Sequence, residues 1–424
     1  MEPKAEVNIV EYAALIGLDW GSEKHSVALQ AADSKKLEIC ELKQTPEFMH
    51  NWILNLHSRF PGGKIAIAIE QSKGAVINFL LGFDFVHVFR INPKSLKNYR
   101  EALSPSGAKD DPTDAELLLL FVKHHCDRLK PWIPDDSESR SLQKLVEFRR
   151  KVIALRTRLT NGLTQALKEY FPQALSWTGD LDTVMACDFL TKWPRLEKLQ
   201  KTKPDAIRKF YRDHGSRNND LIDQRLKEIQ AAIPLTQDSA AINIGVVMVQ
   251  TIVSQLRPLF ASIRDIDKEI EERFRKHPDF EIFDSFPGAG VVMAPRLQTA
   301  MGSDRDRFDS AEEVQNYSGI APVTERSGKA TWIHQRFACS KFIRQSFHEF
   351  AGHSIHHCDW AQAYYLMQRK RGKEHHAAVR ALAYKWIRII FRCWKDRVPY
   401  DDQKYMESLR RNQAPCLAFL KAAA

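Results

Sequence analysis

The sequence predicts an α/β domain, then a long helical region with coiled-coil character, then a second and mostly α-helical domain. Three observations carry this reading. Strand-like and helix-like patterns alternate over residues 12–130, β signals vanish from Asp135 to His277, and glycine-punctuated helical segments follow from Phe280. At about 100–200 residues per domain, 424 residues leave room for two to four domains. The boundaries fall at 12–130, 135–278 and 280–398, with a tail at 399–424.

In the first part, Ala14–Asp19 (ALIGLD) and Ser26–Ala31 (SVALQA) are strand-like, with a turn at Gly21–Lys24 between them. An edge-like strand follows at Leu37–Leu42. Pro46–Phe60 has helical spacing, with Phe48, Trp52, Leu56 and Phe60 on one face. Lys64–Glu70 (KIAIAIE) is a short apolar strand ending in a carboxylate. Ala75–Leu81 is helical, Phe85–Arg90 is strand-like, and Asn92-Pro93 opens another helix. A hairpin followed by strand–helix alternation predicts a mixed sheet with flanking helices.

The middle region is charged and helical, broken at Pro172, Pro194, Pro204 and Pro234. Its last helix places Ile252, Leu256, Leu259, Ile263, Ile266 and Ile270 in alternating steps of four and three, an a/d heptad seam. Such a seam either packs inside the chain or forms an intermolecular or long antiparallel coiled coil. The dense charge of Arg264–Arg275 favours the coiled coil.

The last part opens on Phe286-Pro287-Gly288-Ala289-Gly290, a turn of helix-hairpin-helix form whose N–H groups could face a phosphate or simply join two helices. A helix at Ser310–Tyr317 is closed by Ser318-Gly319 as its C-cap. An irregular stretch runs to His334, helices extend from Cys339 to Asp396, and the tail from Tyr400 looks peripheral.

Composition narrows the function classes. Hydrophobic residues make up 44% of the chain and aromatics 10%, enough for a core and incompatible with wholesale disorder. No run of about 18 apolar residues marks a membrane span, and the N-terminus does not read as a secretion signal. Seven scattered cysteines without a C-x-x-C pair suit reduced thiols in the cytoplasm. The net charge of +10 is concentrated: Arg336–Arg397 holds 13 Lys/Arg against 4 Asp/Glu. Trp332, Tyr364, Tyr365, Tyr384, Trp386 and Trp394 are interleaved with or flank that segment. Clustered cations release phosphate counterions and aromatic faces stack on bases, so nucleic acid is the expected partner. Read singly, each aromatic fits equally well as a core residue. His353, His356, His357 and Cys358 point in different directions along one helix and are not read as a zinc site.

Four carboxylates complete the pattern. Asp19 and Glu70 end two strands, and Asp111 and Asp114 lie three apart at a helix start marked by Pro112. Gathered at one sheet edge, four like charges require a cation, and hard divalent ions take oxygen ligands. Taken one at a time, each is also an ordinary turn or cap residue, Asp111 an N-cap above all.

The stretches G-L-D-W-G-S-E-K-H, I-E-Q-S-K-G and K-D-D-P-T-D-A together resemble the DEDD transposases with a RuvC-like (RNase H-type) N-terminal domain. These are insertion-sequence recombinases associated with a guide, or bridge, RNA, and pilin-gene invertases are their relatives. F-P-G-A-G and R-F-D-S-A-E-E-V-Q-N-Y-S-G-I-A-P-V-T-E-R-S-G-K resemble that family's second domain. The resemblance implies an RNase H-like fold for the first domain and a metal-binding tetrad at Asp19, Glu70, Asp111 and Asp114. It implies two Mg²⁺ per site, with Mn²⁺ as a substitute, and Ser327 as nucleophile. Asp110 adjoins Asp111, but the spacing to Asp114 favours Asp111 as the ligand; His334 is a weak candidate base for Ser327. Arg326 and Lys329 flank the serine, and Arg336, Lys341, Arg344, Lys385, Arg388 and Arg392 are the further candidate contacts to nucleic acid. The implied partners are donor and target DNA, a noncoding bridge RNA, and further copies of the chain in a dimer or tetramer. The implied setting is the bacterial or archaeal cytoplasm at the nucleoid. The rival readings are a structure-selective nuclease of the same fold using water, and a non-catalytic nucleic-acid scaffold.

Overall fold

The computed structural model describes residues 12–70, 74–103, 111–328 and 330–420. Two compact units divide at Pro134 and Asp135.

The first unit is a five-stranded sheet of order β3-β2-β1-β4-β5. Its strands are β1 (Tyr12–Asp19), β2 (Lys24–Ala31), β3 (Glu38–Lys43), β4 (Lys64–Ile69) and β5 (Val86–Arg90). β1, β2 and β3 form an antiparallel meander, whereas β4 and β5 run parallel to β1. Helices α1 (Pro46–Arg59), α2 (Ala75–Leu80), α3 (Pro93–Leu103) and α4 (Asp111–His125) complete the unit. This order is compatible with an RNase H-like domain.

Strand alternation explains the layering. In KIAIAI the isoleucines face one side, packing with Ile16, Leu18 and Val27 against Met49, Ile53 and Leu56 of α1 and Val76, Ile77 and Leu80 of α2. The alanines face the other side, where Ala66 and Ala68 meet Leu117, Leu118 and Val122 of α4. Ala28 meets Ala115 and Leu119 there. Small residues on this face let α4 lie directly on the strands. Gly17 is the extreme case, since a Cβ there would stand 1.9 Å from the Ala115 carbonyl oxygen.

Among the described residues, the second unit is helical apart from one hairpin. Helix α5 (Ser137–Tyr170) is followed by α6 (Ala174–Thr178), α7 (Val184–Lys192), α8 (Leu196–Gln200), α9 (Pro204–Asp213) and α10 (Asn219–Ala231). Helix α11 (Ser239–Arg275) then returns along α5. Glu138 pairs with Arg273, Arg149 with Asp267, and Gly245 lies against Tyr170, so the two helices are antiparallel. The heptad seam is therefore spent inside the chain: Leu256, Ile263 and Ile270 are buried. α11 passes by length and composition as a membrane span, contrary to the expectation from sequence. Asn243, Gln250, Gln255 and Arg257 interrupt its apolar run, and 22% of that stretch is buried, on the face that packs against α5.

The remaining elements are α12 (Phe280–Asp284), α13 (Gly290–Met301), α14 (Ala311–Tyr317), β6 (Val323–Ser327), β7 (Ala330–His334), α15 (Lys341–Ser354), α16 (Asp359–Lys370), α17 (His375–Asp396) and α18 (Asp402–Arg411). The glycine-punctuated turn joins α12 to α13, with Gly288 at φ +79° and Gly290 at φ +51°, backbone that favours glycine. The tail is not peripheral. Tyr400 accepts the indole N–H of Trp360 at 2.8 Å, and Leu409 is buried in the same core as Trp386 and Trp394.

Candidate active site

The carboxylates of the first unit are brought to one edge of the sheet by strand register. Leu18 pairs with Ile69 in parallel register, so Asp19 and Glu70, each the next residue along, stand side by side at the carboxyl ends of neighbouring strands. Alternation puts Asp19 on the Gly17 face and Glu70 on the Ala68 face, the side that α4 covers.

The direction of α4 supplies the other pair. Lys123 donates to Gln30 at 2.9 Å, and Gln30 is paired with Leu15. Ala115, earlier in the helix, lies at Gly17. The helix therefore runs opposite to β1, and its first turn, with Asp111 and Asp114, reaches the Asp19 end. Asp111 also acts electrostatically on Lys24, just past the β1–β2 turn. Asp111 is the first helical residue, and the positive end of the helix dipole favours carboxylates there.

Side-chain positions are less converged than the backbone. Asp114 is 2% exposed and is ion-paired to Arg100 of α3. Among the described residues, no group of three or more His, Cys, Asp or Glu side chains is close enough to hold a metal. The residues nevertheless fit a hard divalent ion in chemistry, since all four donors are carboxylate oxygens at one edge, although Arg100 occupies the Asp114 carboxylate here. Sequence reasoning missed Arg100. Its only signal was an arginine on the helix preceding the acidic pair. Asp110 lies outside the described residues.

Ser327 occupies a different setting. The stretch expected to be irregular is a two-stranded hairpin, with Val323 paired to His334 and Ser327 to Ala330. Ser327 ends β6 at its tip, followed by Gly328 at φ +56°, a glycine that a two-residue hairpin turn requires. No sequence pattern announces the hairpin, because its strands are short and almost wholly exposed, leaving no buried apolar face. Ser318 caps α14 and is fully buried. His334 lies 3.6 Å from Glu325, and Lys329 is outside the described residues.

The candidate cations divide into two groups. Arg326, Lys341 and Arg388 are exposed. Arg336 instead bonds Asn316 at 2.9 Å, and Arg344 donates to the Arg336 carbonyl, so both brace the hairpin base. Arg392 pairs with Asp396, and the Lys385 ammonium sits 4.8 Å from the Tyr364 ring centre. Of the aromatics, Trp386 and Trp394 are core residues, while Trp332 is exposed.

Two family models match the chain: DEDD_Tnp_IS110, a transposase family, over residues 16–172, and the Transposase IS116/IS110/IS902 family over residues 280–366. The chain belongs to the IS110 family of DEDD transposases. It is similar along nearly its whole length to a putative transposase of the IS117 mini-circle from Streptomyces coelicolor, with 28% identity over 92% of this chain and 95% of the relative. A 42 kDa protein of insertion element IS900 from Mycobacterium paratuberculosis is 25% identical over 91% of this chain and 96% of the relative. The putative transposase y4uE of Sinorhizobium fredii is 31% identical over 48% of this chain and 57% of the relative. The transposase is thus an enzyme acting on DNA. Its first family match covers all four carboxylates, and its second covers the Ser327 hairpin.

Proposed function

We propose that this transposase moves an insertion sequence by cutting and rejoining DNA through a serine–phosphate intermediate. The observation that carries the reading is the exposed serine at the tip of a hairpin, next to Arg326, in a chain that also gathers carboxylates at a sheet edge. Ser327 Oγ attacks the scissile phosphorus, forming the Oγ–P bond as the bond to the leaving strand's oxygen breaks. The hydroxyl proton passes through solvent to the leaving strand's oxygen, which departs as a hydroxyl, and one phosphoester bond is exchanged for another. A hydroxyl of the new strand then attacks the same phosphorus, rejoining DNA and returning the serine. Arg326 and Lys329 hold the phosphate. Asp19, Glu70, Asp111 and Asp114 would hold two Mg²⁺, or Mn²⁺ in their place, which stabilise the attacking and leaving oxygens.

A noncoding bridge RNA would select donor and target, since pairing with RNA lets the protein sense only duplex shape and backbone. Copies of the chain would assemble through the helical region so that serine and carboxylates of different protomers can meet. The heptad seam is occupied internally, but Ile244, Val247 and Met248 form an exposed apolar stripe on α11 suited to that assembly.

The test is a denaturing gel with element-end DNA, Mg²⁺ and co-purified RNA. A protein–DNA adduct that disappears in Ser327→Ala supports the reading. Undiminished cutting by Ser327→Ala, with no adduct in either protein, assigns the chain to water-dependent cleavage. Loss of selective joining after RNase treatment tests the guide.

A further inference from the structure

Beside Ser327, the hairpin carries a feature that its role in strand cutting does not use. Trp332 is 49% exposed, Ile333 70% and Phe337 78%, on an arm whose strands bury almost none of their own surface. A two-stranded hairpin is marginal in water, and large exposed apolar groups add nothing to its stability. This arm is nevertheless braced: Arg336 bonds Asn316 and the Ala321 carbonyl, and Arg344 secures the Arg336 carbonyl. The protein thus holds an unpacked tryptophan at a defined place.

Register fixes that place. Ser327 pairs with Ala330 and Glu325 with Trp332, so alternation puts Ser327, Glu325, Ala330 and Trp332 on one face. Along β7, Trp332 stands two residues from the position opposite the serine, roughly 7 Å. This is about twice the base-stacking distance, so a ring there reaches a nucleotide next to one bound at Ser327. Glu325, directly opposite Trp332, lies 3.6 Å from the His334 ring. Arg326, exposed on the other face of the arm, adds a positive charge beside it.

We propose that Trp332 is a stacking platform for an unpaired DNA base flanking the phosphate that Ser327 attacks. The inference rests on the proposed role of Ser327. Strand exchange must open base pairs at the junction, and an indole face compensates an unstacked base without regard to its identity. Trp332 is a positioning residue, not one that touches the reacting atoms.

The experiment is fluorescence anisotropy of the full-length protein with a labelled oligo-dT strand and with a duplex of equal length. Trp332→Ala should weaken single-strand binding about fivefold or more while leaving duplex binding unchanged. Trp332→Phe should retain single-strand binding, and Trp332→Leu should lose it. Unchanged thermal melting of the variants shows that folding is not the cause. A 5-iodouracil strand should crosslink at Trp332, read by mass spectrometry. Equal single-strand affinity in Trp332→Ala overturns the proposal, as does full retention by Trp332→Leu. A fall in oligomeric state by light scattering in Trp332→Ala would assign the face to a protein partner and also overturn it. These measurements need no strand cutting, so they fail independently of the adduct test for Ser327.

Discussion

The guanidinium of Arg100 in α3 is paired with the buried carboxylate of Asp114 in α4. One acid of the proposed tetrad therefore has a resident cation supplied by the protein. Breaking a buried ion pair by removing one partner costs about 3–5 kcal/mol. Arg100→Gln should lower the stability of the first unit by an amount near the bottom of that range. If Asp114 is a metal ligand, Mg²⁺ should raise the melting temperature of this variant more than that of the wild type. Equal shifts would remove Asp114 from the ligand set.

Gly17→Ala should be severe. The added methyl would stand 1.9 Å from the Ala115 carbonyl oxygen and 2.5 Å from the Leu119 nitrogen, both backbone atoms of α4. Overpacking costs about 1–3 kcal/mol or more. Because α4 carries Asp111 and Asp114, its displacement should also reduce strand-transfer activity at temperatures where the variant remains folded. Denaturant unfolding paired with an activity assay measures both effects.

His277 predicts acid sensitivity in the second unit. Burial pushes its imidazole below its ordinary value. Its Nδ1 accepts the Asp279 N–H at 3.0 Å, so the neutral ring carries its proton on Nε2 and donates to Ser139 Oγ at 2.8 Å. Ser139 in turn donates to Asp136 at 2.6 Å. The unfolded chain takes up the proton first as pH falls, so stability present above about pH 6.5 is lost below it, by at most about 1.4 kcal/mol per pH unit. Melting temperatures measured from about pH 7.5 to 5.5 should fall, and His277→Gln should flatten the slope.

The two apolar faces of α11 should respond differently to charge. Leu256→Asp places a carboxylate in the buried contact of the second unit and should unfold it. Val247→Glu, on the exposed stripe with Ile244 and Met248, should leave melting nearly unchanged and weaken the proposed self-association, measured by sedimentation velocity. An unaltered sedimentation profile would move the assembly surface elsewhere.

Much of this protein was legible in the linear chain because its signals are local. The alternation of KIAIAIE, the Pro93 helix start, the prolines that end the middle helices and the Gly319 cap each depend on neighbours a few residues away. The four carboxylates could be named for the same reason, each marking the end of a strand or the start of a helix. Other features depend on which partner a surface finds. The seam from Ile252 to Ile270 reads the same whether its partner is another chain or α5, and only tertiary packing selected α5. The hairpin at Ser327 has no apolar face, so no periodicity announces it, and its pairing alone reveals that Trp332 and Ser327 share a side. Arg336 and Arg344 count as cations in the sequence, but folding spends them as braces, because the half-buried Asn316 side chain and Arg336 carbonyl accept from the donors that lie nearest.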